Sequence, residues 1–124
     1  MTSPEKMFEF EYLKDHNILI GRFKVNELTN SEDAKVVYDY AADELKNQPD
    51  ADSFIMDISS LKNVSSYAIG TLMKALDIMK KTKGYMILIM DESLLQEVML
   101  QHPVMFDYYA VFHNLEDAIA FIKK

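Results

Sequence analysis

Two adjacent serines, Ser65 and Ser66, are the residues of this sequence whose position is best suited to chemistry. They follow the apolar segment 54–58 and directly precede a helical repeat of apolar residues that begins with Ala68 and Leu72. Serine is a preferred N-cap residue, because its hydroxyl accepts a hydrogen bond from a backbone N–H of the first turn. The positive end of the helix dipole would also favour a phosphate there, and the phosphate would add about two negative charges to an interface. The pair therefore predicts either a helix cap alone or a cap beside a phosphorylation switch.

The other polar residues form no catalytic constellation. Asp57 is the best single carboxylate candidate, because ligands of α/β folds bind at the carboxyl ends of strands, but no base or nucleophile is spaced to assist it. His16, His102 and His113 have no metal-ligand spacing, and the chain has no cysteine and no phosphate-loop, dinucleotide-binding or Gly-x-Ser-x-Gly motif. We therefore predict no catalytic residue, cofactor or metal. A small-ligand pocket or an enzyme site beside Asp57 remains an open alternative.

The composition predicts one folded domain that spans residues 1–124. Hydrophobic residues make up 49% of the chain and charged residues 27%, which is enough apolar material for a core. The formal net charge of -7 argues against binding to nucleic acid and to anionic membranes. The N-terminus lacks the pattern of a signal peptide, and the apolar run 85–90 is far shorter than the roughly 20 residues of a membrane span. These features predict a cytoplasmic protein.

Hydrophobic periodicity alternates between the patterns of strands and of helices. Strands are predicted at 7–13, 18–23, 54–58, 85–90 and 109–112. Helices are predicted at 34–45, 68–79, 93–101 and 115–122. Thr29 and Glu32 have the spacing of a capping box for the first helix, and Asn114 is a candidate cap for the last. The second helix is predicted to stop at the basic segment 80–84 and the third before Pro103.

The order of these elements predicts the fold class. Strands that alternate with helices indicate parallel pairing through right-handed crossovers. The first two strands are separated by the turn residues 14–17, which predicts an antiparallel hairpin. The predicted fold is α/β, with a mixed sheet of about five strands, an N-terminal antiparallel hairpin and four helices.

The segment around the two serines resembles the STAS domain family of bacterial anti-sigma factor antagonists. The family pattern is an apolar strand that ends in Asp or Asn followed by Leu, a short loop, and then Asp-Ser-Ser-Gly-Leu-Gly at the start of a helix. The corresponding segments here are 54–61 and 65–72. The resemblance covers nearly the whole chain, since the order of elements agrees and the segments 84–90 and 112–118 are similar to later parts of the family. It implies a STAS-like fold.

The resemblance also implies a function. In the family the first serine of the pair accepts a phosphate, and this position corresponds to Ser66, with Ser65 as the alternative. Family antagonists bind an anti-sigma factor, which is a serine kinase; phosphorylation blocks the binding and a phosphatase restores it. The expected protein is a non-enzymatic transcription regulator that is a monomer or a weak homodimer. Its expected partner-binding residues are Lys24, Asn26, Asn63, Ser65, Tyr67 and Ala68.

The motif departs from the family pattern at several positions. Ser65 replaces an aspartate, Tyr67 and Ala68 replace serine and glycine, and Lys24 replaces an acid in the segment that resembles Gly-x-Leu-Asp. Lys24 is therefore a candidate fixed positive charge near Ser66. The leading hypothesis is a regulatory binding module switched at Ser66. The altered motif keeps a second hypothesis open, a STAS scaffold that is not phosphorylated and that serves in oligomerisation or sensing.

Overall fold

The computed structural model describes residues 4–47, 50–62, 65–78, 84–107 and 109–123. The strands are β1 Phe8–Leu13, β2 Ile18–Phe23, β3 Ser53–Asp57, β4 Met86–Ile89 and β5 Ala110–Phe112. The α-helices are α1 Pro4–Met7, α2 Ser31–Asn47, α3 Ser66–Ile78, α4 Glu92–Gln101 and α5 Leu115–Lys123. A 3-10 helix, Pro103–Asp107, lies between α4 and β5. The five predicted strands and four predicted helices are thereby confirmed, and the one-turn helix α1 is an addition that the sequence pattern did not indicate.

The strands form one mixed sheet in the order β1-β2-β3-β4-β5. β1 and β2 pair antiparallel as the predicted hairpin, whereas β2, β3, β4 and β5 pair parallel. The carboxyl ends of these four parallel strands therefore meet at one edge of the sheet, which we call the carboxyl edge. The helices α2, α3, α4 and α5 all begin beside it.

The turn of the hairpin also anchors the opposite edge. Asn17 has a φ of 54°, which lies in the left-handed region that asparagine tolerates better than most residues. Its backbone oxygen accepts a hydrogen bond of 2.7 Å from the N–H of Asp52, and its side-chain oxygen accepts one of 3.2 Å from the Tyr12 hydroxyl. The hairpin turn is thus tied to the start of β3.

Both faces of the sheet are covered, which explains why β4 and the interior of β3 are apolar. On one face, side chains of α2, α3 and α4 pack on the strands around Phe54, Met56 and Leu88. The other face is an isoleucine layer that α5 covers through Ala118, and the isoleucines are Ile18, Ile20, Ile55, Ile87 and Ile89. In the described ranges, no helix is both long enough and apolar enough to cross a membrane.

Helix α2 begins differently from the sequence prediction. The Asn30 side-chain oxygen accepts a hydrogen bond of 2.8 Å from the backbone N–H of Asp33, and the Asn30 amide donates one of 3.1 Å to the Asp33 carboxylate. The helix therefore starts at Ser31 behind an Asn30 cap, and the predicted capping box of Thr29 and Glu32 is wrong by one residue. Both spacings suit a cap, and asparagine is the stronger capping residue of the two candidates.

The remaining helix boundaries lie close to those predicted. The Asn114 side-chain oxygen accepts a hydrogen bond of 2.8 Å from the backbone N–H of Asp117, which confirms the predicted cap of α5. Helix α4 begins one residue earlier than predicted, because Asp91 caps it by accepting a bond of 2.8 Å from the N–H of Leu94. Most of the predicted stop at 80–84 lies outside the described residues.

Candidate functional site

The loop that follows β3 at the carboxyl edge is held by its own side chains. One carboxylate oxygen of Asp57 accepts hydrogen bonds from the backbone N–H and the hydroxyl of Ser59, at 2.9 and 2.5 Å. The hydroxyl of Ser60 lies within hydrogen-bonding distance of the backbone oxygens of Phe23, at 2.7 Å, and Val25, at 3.1 Å. Asp57 therefore shapes the turn, and the loop is attached to the segment after β2 before it reaches α3.

Ser65 has a structural role at the start of α3. Its hydroxyl donates a hydrogen bond of 2.5 Å to the backbone oxygen of Leu28 and accepts one of 3.1 Å from the backbone N–H of Ala68. The second bond is that of an N-cap, which the sequence predicted. A phosphate on Ser65 would remove the hydrogen that reaches Leu28. This hydroxyl is therefore committed to holding α3 against the loop after β2.

Ser66 is the first residue of α3 and it is exposed. Its hydroxyl has no hydrogen-bonding partner among the residues that the structure describes. The first turn of α3 carries no acidic residue, whereas the first turns of α2, α4 and α5 each carry at least one. An anion attached to Ser66 would therefore supply the negative charge that the positive end of a helix dipole favours.

Ser66 lies at one end of an open groove between α2 and α3, which we call the α2–α3 groove. The groove has a volume of about 530 Å³. Helix α2 contributes Glu32, Ala34, Lys35, Tyr38 and Asp39. Helix α3 contributes Ser66, Tyr67, Gly70, Thr71 and Lys74. Because both helices begin at the carboxyl edge, the groove opens beside the loops that carry the predicted site.

Gly70 leaves part of the groove open, although the fold does not require a glycine at this position. A Cβ atom at this position would meet no atom within 4 Å, and Gly70 does not have a positive φ. Neither packing nor backbone conformation therefore requires glycine in the interior of α3. Glycine nevertheless costs a helix about 1 kcal/mol relative to alanine. The bare backbone gives a second molecule room to approach α3 closely.

The charges of the groove balance in the unmodified protein, since two lysines face two acids. The Lys35 ammonium lies 2.9 Å from the carboxylate of Asp39, one turn further along α2, and this hydrogen bond and the negative charge raise the pKa of Lys35. The Lys74 ammonium lies 5.6 Å from the centre of the Tyr38 ring, which is a cation–π contact. Glu32 is the second acid, at the same end of the groove as Ser66. The groove therefore combines apolar surface with charged side chains of both signs, of which Lys35 and Asp39 are exposed.

The predicted partner-binding residues have different environments. Lys24 and Asn26 are exposed in the loop after β2, and Tyr67 is 41% exposed at the groove. Ala68 is fully buried, at 0% exposure, so its side chain does not reach the surface of this structure. Its methyl group packs in the core because Ala68 lies on the inner face of α3. Asn63 lies outside the described residues.

Among the residues that line the groove, the sequence prediction assigned Ser66 and Tyr67 to the site. It missed the whole α2 side, which includes Lys35 and Tyr38, and it missed Gly70 and Lys74 on α3. A signal for part of this set is present, because Ser66, Gly70 and Lys74 follow one another at intervals of four and so share one face of a helix. The α2 residues carry no such signal. Their place in the groove depends on α2 and α3 lying side by side, which periodicity within one helix does not encode.

A ligand or enzyme site beside Asp57 has no support from the described residues. A second groove of about 350 Å³ lies between the β3–α3 loop and α4, and its lining includes Ser60, Lys62, Asp91 and Glu97 but not Asp57. The Asp57 carboxylate is instead used within its own turn. Among the residues that the structure describes, no three His, Asp or Glu side chains are grouped so that they could hold a metal ion.

Comparisons with known proteins identify the fold. Neither the family models nor the curated proteins give a match to this sequence. Among solved structures, the chain is similar to a candidate anti-sigma factor antagonist from Thermotoga maritima, known from its crystal structure. The TM-score is 0.74, and the two chains are 15% identical over 99% of this chain and 100% of the other. The protein therefore has the fold of an anti-sigma factor antagonist, which is the STAS fold that the sequence predicted.

Proposed function

We propose that this protein is an anti-sigma factor antagonist, which binds an anti-sigma factor kinase through the start of α3 and the α2–α3 groove. Phosphorylation of Ser66 by that kinase releases the partner, and a phosphatase restores the binding. The fold supports the general role, because the similar Thermotoga maritima protein is a candidate anti-sigma factor antagonist. The residue roles rest on the geometry of α3.

The contrast between the two serines is the observation that carries the proposal. Ser65 uses its hydroxyl as both donor and acceptor inside the fold, while the Ser66 hydroxyl is exposed one residue later. A kinase can reach the Ser66 hydroxyl without opening the helix start. The added phosphate is compatible with the fold, because it lies at the positive end of α3. The switch therefore changes the surface and leaves the fold intact.

The α2–α3 groove supports the binding half of the proposal. Tyr67 is exposed at the groove, and Gly70 leaves bare helix backbone where an alanine would fit. Exposed aromatic side chains are enriched in protein interfaces, and an apolar side chain of the partner would fill the space over Gly70. A phosphate on Ser66 would have to lose its water shell in such an apolar contact, so it would oppose the binding.

Incubation with ATP and the anti-sigma factor kinases encoded by the same genome tests the phosphorylation. Mass spectrometry of the product should place one phosphate on Ser66, and Ser66→Ala should abolish it. Ser93→Ala is the matched control, because Ser93 is also an exposed serine in the first turn of a helix, and this variant should be modified normally. Phosphate on another residue, or an unmodified protein with every kinase, would contradict the proposed switch.

A non-phosphorylated STAS scaffold is the second candidate function. The observation that favours it is Ser65, which caps α3 where the family pattern has an aspartate. In that case the same groove binds a partner permanently. The kinase experiment separates the two candidates, because the scaffold predicts that no kinase places a phosphate on Ser66.

A further inference from the structure

A phosphate on Ser66 would share the α2–α3 groove with two amines. Lys35 reaches the groove from α2, and Lys74 reaches it from the same face of α3 as Ser66. Side chains on a helix lean toward its N-terminus, so the Lys74 side chain leans toward the end of α3 where Ser66 lies. The other titratable groups that face this space are Glu32, Asp39, Tyr38 and Tyr67.

Lys35 already has a partner, but one that it can exchange. Its ammonium is bound to Asp39, and the two side chains are 77% and 54% exposed. An exposed ion pair between neighbouring turns of a helix is weak, since water and salt screen it. A phosphoserine carries more negative charge than a carboxylate and offers three strong acceptor oxygens. The ammonium would therefore favour the phosphate over Asp39 if its flexible stem lets it reach both.

The arrangement of the helices puts that exchange within reach. Lys35 is the fifth residue of α2 and Ser66 is the first of α3, and both helices start at the carboxyl edge. At 1.5 Å per residue, Lys35 lies only about 6 Å further along the helix axis than the start of α2. Lys35 and Ser66 line the same groove, and the flexible four-carbon stem of Lys35 lets its ammonium reorient within that groove.

We propose that Lys35 exchanges Asp39 for the phosphate of Ser66 and that Lys74 acts as a second cation, so that the phosphorylated serine is held inside its own groove. This role presupposes a phosphate on Ser66, as the proposed function does. The contact between the Ser66 phosphate on α3 and the Lys35 ammonium on α2 would cross the space above Gly70. It closes the groove from within the chain, and the partner loses its site even where its own surface is uncharged.

A protein with phosphoserine incorporated at position 66 during translation tests this role without any kinase. The pH titration of its ³¹P NMR signal reports the second ionisation of the phosphate, which lies near pH 6 in an isolated phosphoserine. Nearby cations favour the dianion and lower this pKa. Lys35→Met and Lys74→Met should each raise the midpoint by roughly half a pH unit, which is less than the shift from a close buried charge. Asp39→Asn should lower it, because Lys35 loses its competing partner.

Lys123→Met is the matched control, since Lys123 is an exposed helical lysine on α5 and does not line the groove. A midpoint in Lys35→Met that equals that of Lys123→Met would overturn the proposed exchange. A partner-binding assay is an independent test, because simple repulsion and the exchange predict opposite effects of Lys35→Met on binding. Simple repulsion predicts that Lys35→Met weakens binding by the phosphorylated protein further, whereas the exchange predicts that binding partly returns. If no kinase modifies Ser66, the proposed function fails while the ³¹P titration still decides the role of Lys35.

Discussion

The fold constrains the residues on the inner face of α3 much more closely than those on its outer face. The inner face is buried in the core, where Ala68 and Leu72 both have 0% exposure. The outer face carries Ser66 and Gly70, for which the described residues give neither a hydrogen bond nor a packing contact that would require them. The fold therefore does not determine the residue type at Ser66 or Gly70, and both positions are open to the partner contact that we propose.

The difference between the faces predicts two kinds of mutational effect. Changes to the inner face should lower the free energy of unfolding and affect binding only through the loss of folded protein. Changes to the outer face should leave the free energy of unfolding unchanged or raise it, while they change partner binding. Four substitutions test this distinction, and they are given in order of decreasing expected change in the free energy of unfolding.

Leu72→Ala should have the largest effect on stability. Leu72 is fully buried in the core beneath α3, and removal of a buried leucine side chain leaves a cavity as well as losing apolar burial. We expect the free energy of unfolding to fall by about 3 kcal/mol, measured by urea denaturation. A loss below about 1 kcal/mol would show that the inner face of α3 is less tightly packed than its burial indicates.

Ser65→Ala should destabilise the protein by about 1 to 2 kcal/mol. The change removes the cap bond to the N–H of Ala68 and leaves the backbone oxygen of Leu28 without its donor. Ser66→Ala, one residue away, is the control and should stay within about 0.5 kcal/mol of the parent protein. Equal losses for the two serines in urea denaturation would remove the distinction on which the proposed function depends.

Tyr109 gives the inner face a pH dependence. Its hydroxyl donates a hydrogen bond of 2.9 Å to the backbone oxygen of Leu72, and burial raises the pKa of the Tyr109 phenol. The unfolded chain ionises this group near pH 10, so the stabilisation is complete below that pH and is lost as the pH rises above it. Tyr109→Phe should cost about 1 kcal/mol at pH 7. It should also reduce the fall in stability above about pH 10, measured by urea denaturation at several pH values; an unchanged slope would contradict the assignment.

Gly70→Ala separates stability from binding. The added methyl group meets no atom and improves helix propensity, so the free energy of unfolding should rise by up to about 1 kcal/mol. The same methyl group occupies the space over the backbone, so affinity for the anti-sigma factor kinase should fall. Ala120→Ser is the control, because it adds one atom to an exposed position of α5 and should leave the affinity unchanged. A more stable variant with full affinity would show that the groove does not receive the partner.

The parts of the fold that the sequence predicted are those encoded within single elements. The alternating pattern of 7–13, the continuous apolar runs and the asparagine cap at Asn114 all depend on near neighbours, and the structure confirms them. The capping box at Thr29 is wrong because Asn30 offers the same bond one residue later. Neighbouring polar residues compete for one cap, and asparagine is the stronger capping residue of the two.

The candidate site was predicted less completely, for a physical reason. Ser65 and Ser66 could be located from the helix start, but the α2–α3 groove is made by two helices that β3 separates along the chain. Lys35 and Tyr38 belong to it only because α2 lies beside α3. The burial of Ala68 depends likewise on which face of α3 meets the sheet. The packing of the helices, and not the local sequence pattern, decides which residues line the groove and whether Ala68 is buried.

The proposed switch at Ser66 is tested by measuring how tightly the proposed partner, an anti-sigma factor kinase, binds the protein with and without phosphoserine at position 66. Isothermal titration calorimetry should give a dissociation constant at least about tenfold higher for the phosphorylated protein, a loss of about 1.4 kcal/mol. Urea denaturation of the two forms should show the same fold stability within about 0.5 kcal/mol. Equal affinities for two equally stable forms would contradict a switch at Ser66.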